Sequence, residues 1–314
     1  MRTLVVGAGA IGGYFGGRLL QAGRDVTFLV RPRRAALLAK QGLSIQSPVG
    51  DFRLPAPPTI TEDAVQDPFD LVLLSCKAYD LQGAMASFAR AVGPRTVILP
   101  LLNGMRHVDV LADRFGPNHV LGGLCVISAT LDADGVIVHL NDLHSLTFGE
   151  LDGSRSPRIE GIASTMSGAG FDARLSDAIR QDMWEKWTFI AAVAGITCLM
   201  RAAIGDIVAA GASELSAGLL DECAAIAAAE GFPPRRPFLD GVRATLSTPG
   251  SPITASMLRD VESGKPVESE AILGDLLRRA ANTDRHSLLR IAYAHVKAYE
   301  ARRKRDEAAA EKTA

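Results

Sequence analysis

Near its start the chain reads Thr3-Leu4-Val5-Val6-Gly7-Ala8-Gly9-Ala10-Ile11-Gly12, a short β-branched run that turns glycine-rich and then becomes helix-like. A strand, a Gly-Xaa-Gly-Xaa-Xaa-Gly turn and a helix in this order are typical of dinucleotide binding, because each glycine has a mechanical role. Gly7 makes the tight turn, Gly9 lets the backbone approach a pyrophosphate, and Gly12 lets the helix pack on its strand. We therefore predict that Gly7, Ala8, Gly9, Ala10, Ile11 and Gly12 bind a dinucleotide; the alternative is a purely structural glycine turn.

Short β-branched runs, each followed by a turn and a helix-like stretch, recur from Thr3 to about Thr147. This alternation predicts a Rossmann domain, a parallel sheet with helices on both faces. The predicted strands are Thr3–Val6, Asp25–Val30, Asp70–Ser75, Thr96–Pro100 and Val120–Ser128. We further expect a hairpin made of Val136–Leu140 and Ser145–Phe148, and a helix end with a small hairpin in Gly42–Thr61.

Alanine-rich helical stretches replace the β-rich runs from about Ser176 onward. We therefore predict a Rossmann domain at residues 1–176 and an all-α domain at residues 177–314. The expected helices are one from Ser176 or Asp177 through Lys186, then Glu214–Glu230, Thr254–Ser263, Glu268–Asn282 and Ser287–Arg303. The basic run Arg302–Arg305 is interpreted as a solvated helix end, with a basic binding arm as the alternative.

Composition excludes several classes of protein. The 314 residues include 34 Lys+Arg and 35 Asp+Glu, so a net charge of −1 offers no field that would gather nucleic acid. The cysteines Cys76, Cys125, Cys198 and Cys223 form no close pair, which fits buried thiols in a reducing compartment. We see neither a signal peptide nor an apolar run of the about 20 residues that a bilayer requires. The expectation is a cytoplasmic protein that binds neither nucleic acid nor membrane.

The end of the second predicted strand indicates which dinucleotide is bound. An acidic residue there would bind the ribose 2′-hydroxyl of NAD, whereas an arginine favours a 2′-phosphate. The sequence reads Val30-Arg31-Pro32-Arg33-Arg34, with no carboxylate at that end. Because arginine binds phosphate with a two-pronged fork, we predict NADPH with Arg31 as the first choice and Arg33 or Arg34 as support. A solvated basic loop is the alternative.

Polar residues follow two further strands at the edge where open α/β sheets bind ligands. Lys77 comes just after Asp70–Ser75 and can hold a carboxylate or phosphate, or lie on the surface. Asn103, next to Gly104, can orient a nicotinamide or a substrate group, or simply form a turn. In the helical half, Lys186 begins an otherwise apolar helix and can protonate a carbonyl oxygen, or extend from the helix end to solvent. His139 and His144 have no third ligand at metal spacing, so we expect no metal site.

Five stretches, taken in order, resemble the ketopantoate reductase (2-dehydropantoate 2-reductase) family over nearly the whole chain. They are Gly7–Gly12 with Arg31, Cys76–Asp80, Asn103–Met105, Trp184–Trp187, and Ala255–Asp260 with Gly264–Glu268. The resemblance implies a Rossmann domain and a helical domain, NADPH as hydride donor, and a 2-oxo acid as substrate in the cleft between them.

The resemblance also implies roles for particular residues. Lys186 matches the catalytic lysine that protonates the substrate carbonyl, and Glu268 matches the acidic residue that orients this lysine and holds a substrate hydroxyl. Ser256 matches the serine that binds the substrate carboxylate. Lys77 and Asn103 match contacts to cofactor and substrate on the Rossmann side.

The chain departs from the family pattern after the lysine. The family usually carries asparagines one and two helical turns later, where this chain has Ile190 and Ala194. A further asparagine is replaced in the stretch that starts at Arg201, which can supply a different anion contact. Losing buried amide donors changes which substrate the pocket selects more than it changes the reaction type.

The sequence therefore predicts an NADPH-dependent reductase of 2-oxo acids, with 2-dehydropantoate as substrate in pantothenate biosynthesis. One alternative is a reductase of a different, more apolar 2-oxo acid, and another is a non-catalytic NADP(H)-binding sensor. The long alanine-rich helices can support a homodimer or fill a core.

Overall fold

The computed structural model describes residues 1–280 and 286–311, and the chain divides into two compact units. One unit contains Met1–Leu102 and His107–Arg180, and the other contains Asn103–Arg106 and Gln181–Ala314. The short segment Asn103–Arg106 therefore belongs with the second, helical unit, although it follows a strand of the first.

The first unit contains two sheets. Its strands are β1 (Thr3–Val6), β2 (Val26–Leu29), β3 (Leu43–Gln46), β4 (Phe52–Leu54), β5 (Thr59–Ile60), β6 (Leu71–Leu74), β7 (Val97–Pro100), β8 (Gly122–Leu131), β9 (Ile137–Gly149) and β10 (Asp172–Leu175). The first sheet has the order β5-β2-β1-β6-β7 and all its pairs are parallel. Every residue of β1, β6 and β7 is buried, as expected for parallel strands covered on both faces.

The second sheet corrects two predictions. The strand predicted at Val120–Ser128 corresponds to β8, which belongs to this second sheet and not to the parallel one. Strand β9 pairs with β8 antiparallel, with β3 and β10 parallel, and β3 pairs with β4 as a small antiparallel hairpin. The hairpin predicted within residues 136–148 is wrong, because these residues form the single long strand β9 and the reversal lies before it, between β8 and β9. The small hairpin predicted in Gly42–Thr61 is present as β3 and β4.

Helix α1 packs against both sheets. The helices of this part are α1 (Ala10–Gln21), α2 (Pro32–Gln41), α3 (Leu81–Phe88), α4 (Arg106–Phe115) and α5 (Pro157–Met166). A Cβ built on Gly16 would lie 2.6 Å from the ring of Phe28 in the first sheet, and one on Gly13 would lie 2.5 Å from Ile137 in the second. The glycines thus let α1 sit between the sheets, and the predicted Rossmann-like architecture is confirmed.

The second unit is helical. Its helices are α6 (Ile179–Met200), α7 (Ile204–Ala209), α8 (Ser213–Ala229), α9 (Arg236–Leu246), α10 (Ser256–Glu262), α11 (Asp275–Arg279) and α12 (Leu288–Glu311). Helix α6 is apolar on all sides along most of its length, which explains why Ala191–Cys198 is buried. Glu222 on α8 caps α12, since its carboxylate accepts from the N–H groups of Leu288 and Leu289 at 2.8 and 3.1 Å.

The predicted helix Glu268–Asn282 needs correction. A π-helical turn at Glu270–Gly274 leads into α11, which ends at Arg279, and Asn282 lies outside the described residues. Among the residues that the structure describes, no helix is long and apolar enough to span a bilayer.

Candidate active site

The glycine-rich loop after β1 has the conformation of a tight strand-to-helix turn. Gly7 has φ +92°, a left-handed value that other residues rarely adopt. A Cβ on Gly12 would lie 2.1 Å from Ser75 Oγ and 2.3 Å from the carbonyl oxygen of Gly7. Glycine is therefore required at both positions for α1 to begin directly beside β1 and β6.

The start of α1 is open to a ligand. Gly9 is exposed, and a Cβ built on it meets no protein atom within 4 Å. Within the described residues, no side chain caps the helix at Gly9 and its first turn has no acidic residue. The first N–H groups of α1 therefore keep the partial positive charge of a helix N-terminus. A dinucleotide pyrophosphate fits this position in both charge and space.

Arg34 holds the glycine-rich loop. Its Nε donates to the carbonyl oxygen of Ala8 at 3.1 Å, and its Nη2 donates to that of Gly135 in the turn between β8 and β9 at 3.3 Å. Burial lowers the pKa of this guanidinium below its ordinary value, although arginine stays charged at neutral pH. Arg34 therefore contacts the loop itself, a role that the spacing of the motif does not reveal.

Arg31 and Arg33 are placed differently. Both are exposed, and Arg31 Nη2 donates to Asp80 Oδ1 at 3.0 Å with four-fifths of the arginine side chain in solvent. An exposed ion pair of this kind is weak, so it leaves Arg31 able to bind another anion. Arg31 and Arg33 are thus better placed than Arg34 for an incoming phosphate.

The carboxyl ends of the parallel strands lie side by side. Val6 pairs with both Leu29 and Leu74, and Leu74 pairs with Pro100. One edge of the sheet therefore carries the residues that follow these strand ends. They are the glycine-rich loop, Arg31 and Lys77. Lys77 is partly buried and precedes the short 3-10 turn Ala78–Asp80. Ligands of open α/β sheets bind beyond this edge.

Asn103 follows β7 but is carried by the second unit. The next residue, Gly104, has φ +82°, and a Cβ there would lie 2.4 Å from the carbonyl oxygen of Ala271 and 3.9 Å from Trp187. Glycine is needed for this close approach to the π-helical turn. Asn103, which is partly buried, therefore lies one residue from a contact with that turn and with α6.

Lys186 lies on α6 between buried neighbours. It is partly buried, and within residues 1–280 and 286–311 its ammonium makes no hydrogen bond or ion pair. Glu185, the preceding residue, accepts at Oε1 from both the backbone N–H and the Nε of Arg235 at 2.8 Å. Burial would raise the pKa of Glu185, but the hydrogen bonds from Arg235 outweigh it and hold the pKa below its ordinary value. Glu185 is thus ionised and already satisfied, whereas Lys186 keeps its ammonium for a ligand.

Ser256 and Glu268 belong to segments that α6 anchors. The N–H of Ala255, just before Ser256, donates to Thr197 Oγ1 at 3.4 Å. Ser256 is exposed at the first position of α10. Glu268 is buried, and one helical turn later the carbonyl oxygen of Ile272 accepts from Trp187 Nε1 at 2.9 Å.

The positions one and two turns after Lys186 present no amide. Ile190 is partly buried and Ala194 is 2% exposed, both on α6. The polar groups nearby on the helix serve the fold, since Thr188 and Thr197 each donate to a carbonyl oxygen four residues earlier. This face of α6 is therefore more apolar than the family pattern implies. Arg201, the other departure, ends α6 with φ +54° and is exposed.

The predicted site residues thus fall into two groups. Gly7–Gly12, Arg31 and Lys77 lie in the first unit, and Asn103, Lys186, Ser256 and Glu268 belong to the second. The structure adds contacts that motif matching missed, namely the indole of Trp187, the hydroxyl of Thr197 and the guanidinium of Arg34. Arg34 and Trp187 were already among the quoted residues, but these contacts gave no sequence signal, because each partner is distant in sequence.

The fold defines a class of protein in which a Rossmann-like unit is followed by a helical unit. Models of the ketopantoate reductase PanE/ApbA family match residues 3–153, and those of its C-terminal part match residues 178–300. The uncharacterized oxidoreductase YkpB of Bacillus subtilis is 37% identical over 96% of this chain and 99% of its own length.

Solved structures agree with the sequence matches. The 2-dehydropantoate 2-reductase of Geobacter metallireducens is 29% identical with a TM-score of 0.85, covering 95% of this chain and 99% of that one. D-mandelate dehydrogenase, solved with NADH and anilino(oxo)acetate, shares the fold at 21% identity and a TM-score of 0.84, covering 97% and 100% of the two chains. The chain belongs to the ketopantoate reductase PanE/ApbA family of oxidoreductases.

Proposed function

We propose that the chain is an NADPH-dependent reductase that converts 2-dehydropantoate to pantoate, as in pantothenate biosynthesis. The observation that carries the proposal is Lys186, a partly buried lysine whose ammonium has no partner within the described residues. It lies on the helix that also anchors the segments of Ser256 and Glu268. A cation in this setting suits a carbonyl oxygen that becomes an alkoxide.

Each residue has a chemical task in this reaction. The reduced nicotinamide, when bound, supplies a hydride to the carbonyl carbon. Lys186 donates a hydrogen bond to the carbonyl oxygen and transfers its proton as negative charge develops there. Glu268 orients the ammonium and accepts from the substrate hydroxyl, Ser256 donates to the substrate carboxylate, and Asn103 positions substrate or nicotinamide. Partial burial of Lys186 strengthens its interaction with the alkoxide, since less water screens it.

The preference for NADPH is proposed on the arginines after β2. Arg31 and Arg33 are exposed at the strand end where a 2′-phosphate would lie, and that strand end carries no carboxylate. Lys77, at the same edge of the sheet, adds positive charge for the phosphates. Arg34 supports the site indirectly, through the carbonyl oxygen of Ala8.

A second candidate is reduction of a more apolar 2-oxo acid by the same residues. It is favoured by Ile190 and Ala194, which present hydrocarbon one and two turns after Lys186. A site that hydrogen-bonds a substrate hydroxyl rejects analogues that lack it, whereas an apolar site discriminates weakly. The two candidates therefore differ in how strongly the hydroxyl of 2-dehydropantoate contributes to kcat/KM.

The test is a steady-state assay that follows the absorbance of reduced nicotinamide. 2-Dehydropantoate is compared with 3,3-dimethyl-2-oxobutanoate, which has the same carbon skeleton without the hydroxyl, and NADPH with NADH. A higher kcat/KM for 2-dehydropantoate supports the first candidate, and a higher value for the analogue supports the second. Binding of NADPH without turnover of any 2-oxo acid contradicts both and identifies a non-catalytic sensor.

Lysine variants test the assignment of the proton donor. Lys186→Ala should lower kcat by about 100- to 10,000-fold, the usual contribution of a positioned acid. Lys304→Ala, an exposed lysine on α12, is the matched control and should leave kcat unchanged. Equal activity of both variants would rule out Lys186 as the acid.

The homodimer and the cytoplasmic location stay predictions, and light scattering on the purified protein tests the first.

A further inference from the structure

The helix that follows Glu268 is irregular. The N–H of Asp275 donates to the carbonyl oxygen of Glu270, five residues earlier, so that Glu270–Gly274 is a π-helical turn. The N–H of Ile272 still donates to the carbonyl oxygen of Glu268 at 3.0 Å, which attaches Glu268 directly to the turn. π-Helical turns are rare in proteins, and those that do occur are often found at functional sites.

One side of the turn is held by α12. The Glu270 carboxylate accepts from Tyr293 Oη, and from Arg278 Nη1 at 2.9 Å, and it pairs with Lys297 Nζ at 3.1 Å. Burial would raise the pKa of Glu270, but these donors outweigh it and lower the pKa to about 2. Gly274 completes the contact, because a Cβ there would lie 2.9 Å from the Tyr293 ring.

The other side of the turn is held by α6. Trp187 is 1% exposed, and its Nε1 donates to the carbonyl oxygen of Ile272 at 2.9 Å. A buried indole N–H that lost this acceptor would be left without a hydrogen bond, which is unfavourable, so the bond fixes the two elements relative to each other. Trp187 is the residue after Lys186, and Ile272 lies one turn after Glu268.

We propose that Trp187 and the π-helical turn Glu270–Gly274 position Lys186 against Glu268 for proton transfer. The inference rests on the proposed function, in which these two residues are the acid and its orienting carboxylate. Trp187, Glu270 and Tyr293 are positioning residues, since they act through the backbone that carries Lys186 and Glu268. The indole sets the spacing of the two segments, and the bonds to α12 keep the turn from shifting along its axis.

The experiment replaces the indole while keeping an aromatic ring. Trp187→Phe removes the N–H donor. Trp184→Phe is the control for altered ring packing with the bond to Ile272 kept, since Trp184 is 2% exposed and its ring centroid lies 4.9 Å from that of Trp187. Steady-state kinetics with NADPH and the best 2-oxo acid are measured in H2O and D2O, together with the unfolding midpoint of each variant.

The expected result is specific to Trp187. Its variant should lose about 10- to 100-fold in kcat with KM changed less than about threefold, because misplacing the acid slows the chemical step more than binding. The solvent isotope effect on kcat should rise in Trp187→Phe, since proton transfer becomes more rate-limiting. A merely structural role would lower the fraction of folded enzyme without changing the isotope effect. Trp184→Phe should keep both kcat within about threefold and the isotope effect of the wild type.

Tyr293→Phe provides a second variant, with the ring that packs on Gly274 kept and the hydrogen bond to Glu270 removed. Like Trp187→Phe, it should lower kcat, but by only about threefold to tenfold. If the wild type turns over and Trp187→Phe matches it in kcat and isotope effect, the positioning proposal is overturned while the proposed function stands. If the wild type reduces no 2-oxo acid, the proposed function fails first and the positioning proposal falls with it.

Discussion

Gly9→Ala tests whether Gly9 is needed for binding the dinucleotide and not for folding. A Cβ at Gly9 meets no protein atom within 4 Å, whereas one at Gly12 would lie 2.3 Å from the backbone oxygen of Gly7. Gly9 has φ −83°, which alanine adopts without strain, and the loss of a favourable N-cap glycine is roughly offset by reduced entropy of the unfolded chain. The free energy of unfolding should therefore change by less than about 1 kcal/mol.

The methyl group would instead occupy the space through which a pyrophosphate approaches the N–H groups of α1. We expect the Kd for NADPH to rise about 10- to 100-fold, equivalent to about 1.4–2.7 kcal/mol. The measurement is a titration of NADPH fluorescence, with chemical unfolding of the same samples. Gly12→Ala, unlike Gly9→Ala, should lower folding stability, by about 1–3 kcal/mol, because its methyl group overpacks the loop.

Gly83→Ala is the matched control for the binding measurement. Gly83 lies exposed in α3, and a Cβ there also meets nothing within 4 Å. This variant should gain up to about 1 kcal/mol in stability, as glycine-to-alanine changes do within helices, and keep the wild-type Kd. If Gly9→Ala binds NADPH as tightly as Gly83→Ala does, the loop is not where the pyrophosphate binds and the assignment of Gly7–Gly12 is refuted.

Three further predictions follow from the charges and the lining of the site. Asp80→Asn removes the partner of Arg31 and a negative charge near the expected 2′-phosphate, so the Kd for NADPH should fall about two- to fivefold while that for NADH is unchanged, as competitive titrations would show. Introducing Ile190→Asn and Ala194→Asn together should raise the ratio of kcat/KM for 2-dehydropantoate over its hydroxyl-free analogue at least about tenfold; an unchanged ratio would contradict a role in substrate selection. Because the pKa of Glu270 is lowered to about 2, its contribution to stability is present above pH 4.5 and is lost as pH falls from 4.5 toward 2. With half of the side chain exposed, that contribution is about 1 kcal/mol after allowance for solvent screening. Urea unfolding of the wild type should show this loss across the pH range, whereas Glu270→Gln should not show it.

The central strands of the first sheet were predictable from sequence because they are buried on both faces, whereas the short, more exposed edge strand β5 was not predicted. Four-residue apolar runs such as Thr3–Val6 and Leu71–Leu74 have no other stable place than the middle of a parallel sheet. The second sheet was harder, because β9 has a solvent-facing side. Its polar stretch Asn141–His144 resembles a turn, yet these residues belong to one strand. The extra residues of β9 between His139 and His144 bulge opposite the short step from Ile127 to Ala129 in β8.

The sequence predicted which residues form the candidate site better than it predicted how they are arranged. The residue type and position identify Lys186 as a candidate, and the family resemblance adds Glu268. The bond from Trp187 to Ile272, in contrast, spans 85 residues of chain. A π-helical turn also leaves no clear mark, since one inserted residue hardly alters an apolar pattern. Tertiary contacts of this kind depend on which helices become neighbours, and a local pattern carries no information about that choice.

Under the proposed function, the reaction and the substrate preference depend on different side chains of α6. The anchors of α6, the indole of Trp187 and the hydroxyl of Thr197, bond to the backbones of the segments that carry Glu268 and Ser256. Ile190 and Ala194 take no part in these bonds, so we expect changes at these two positions to alter substrate preference without moving Lys186. We therefore expect substitutions at Ile190 and Ala194 to change the preferred 2-oxo acid while hydride reduction and proton transfer continue. The same reasoning predicts that changes at Trp187 affect every substrate alike, whereas changes at Ile190 affect one substrate relative to another.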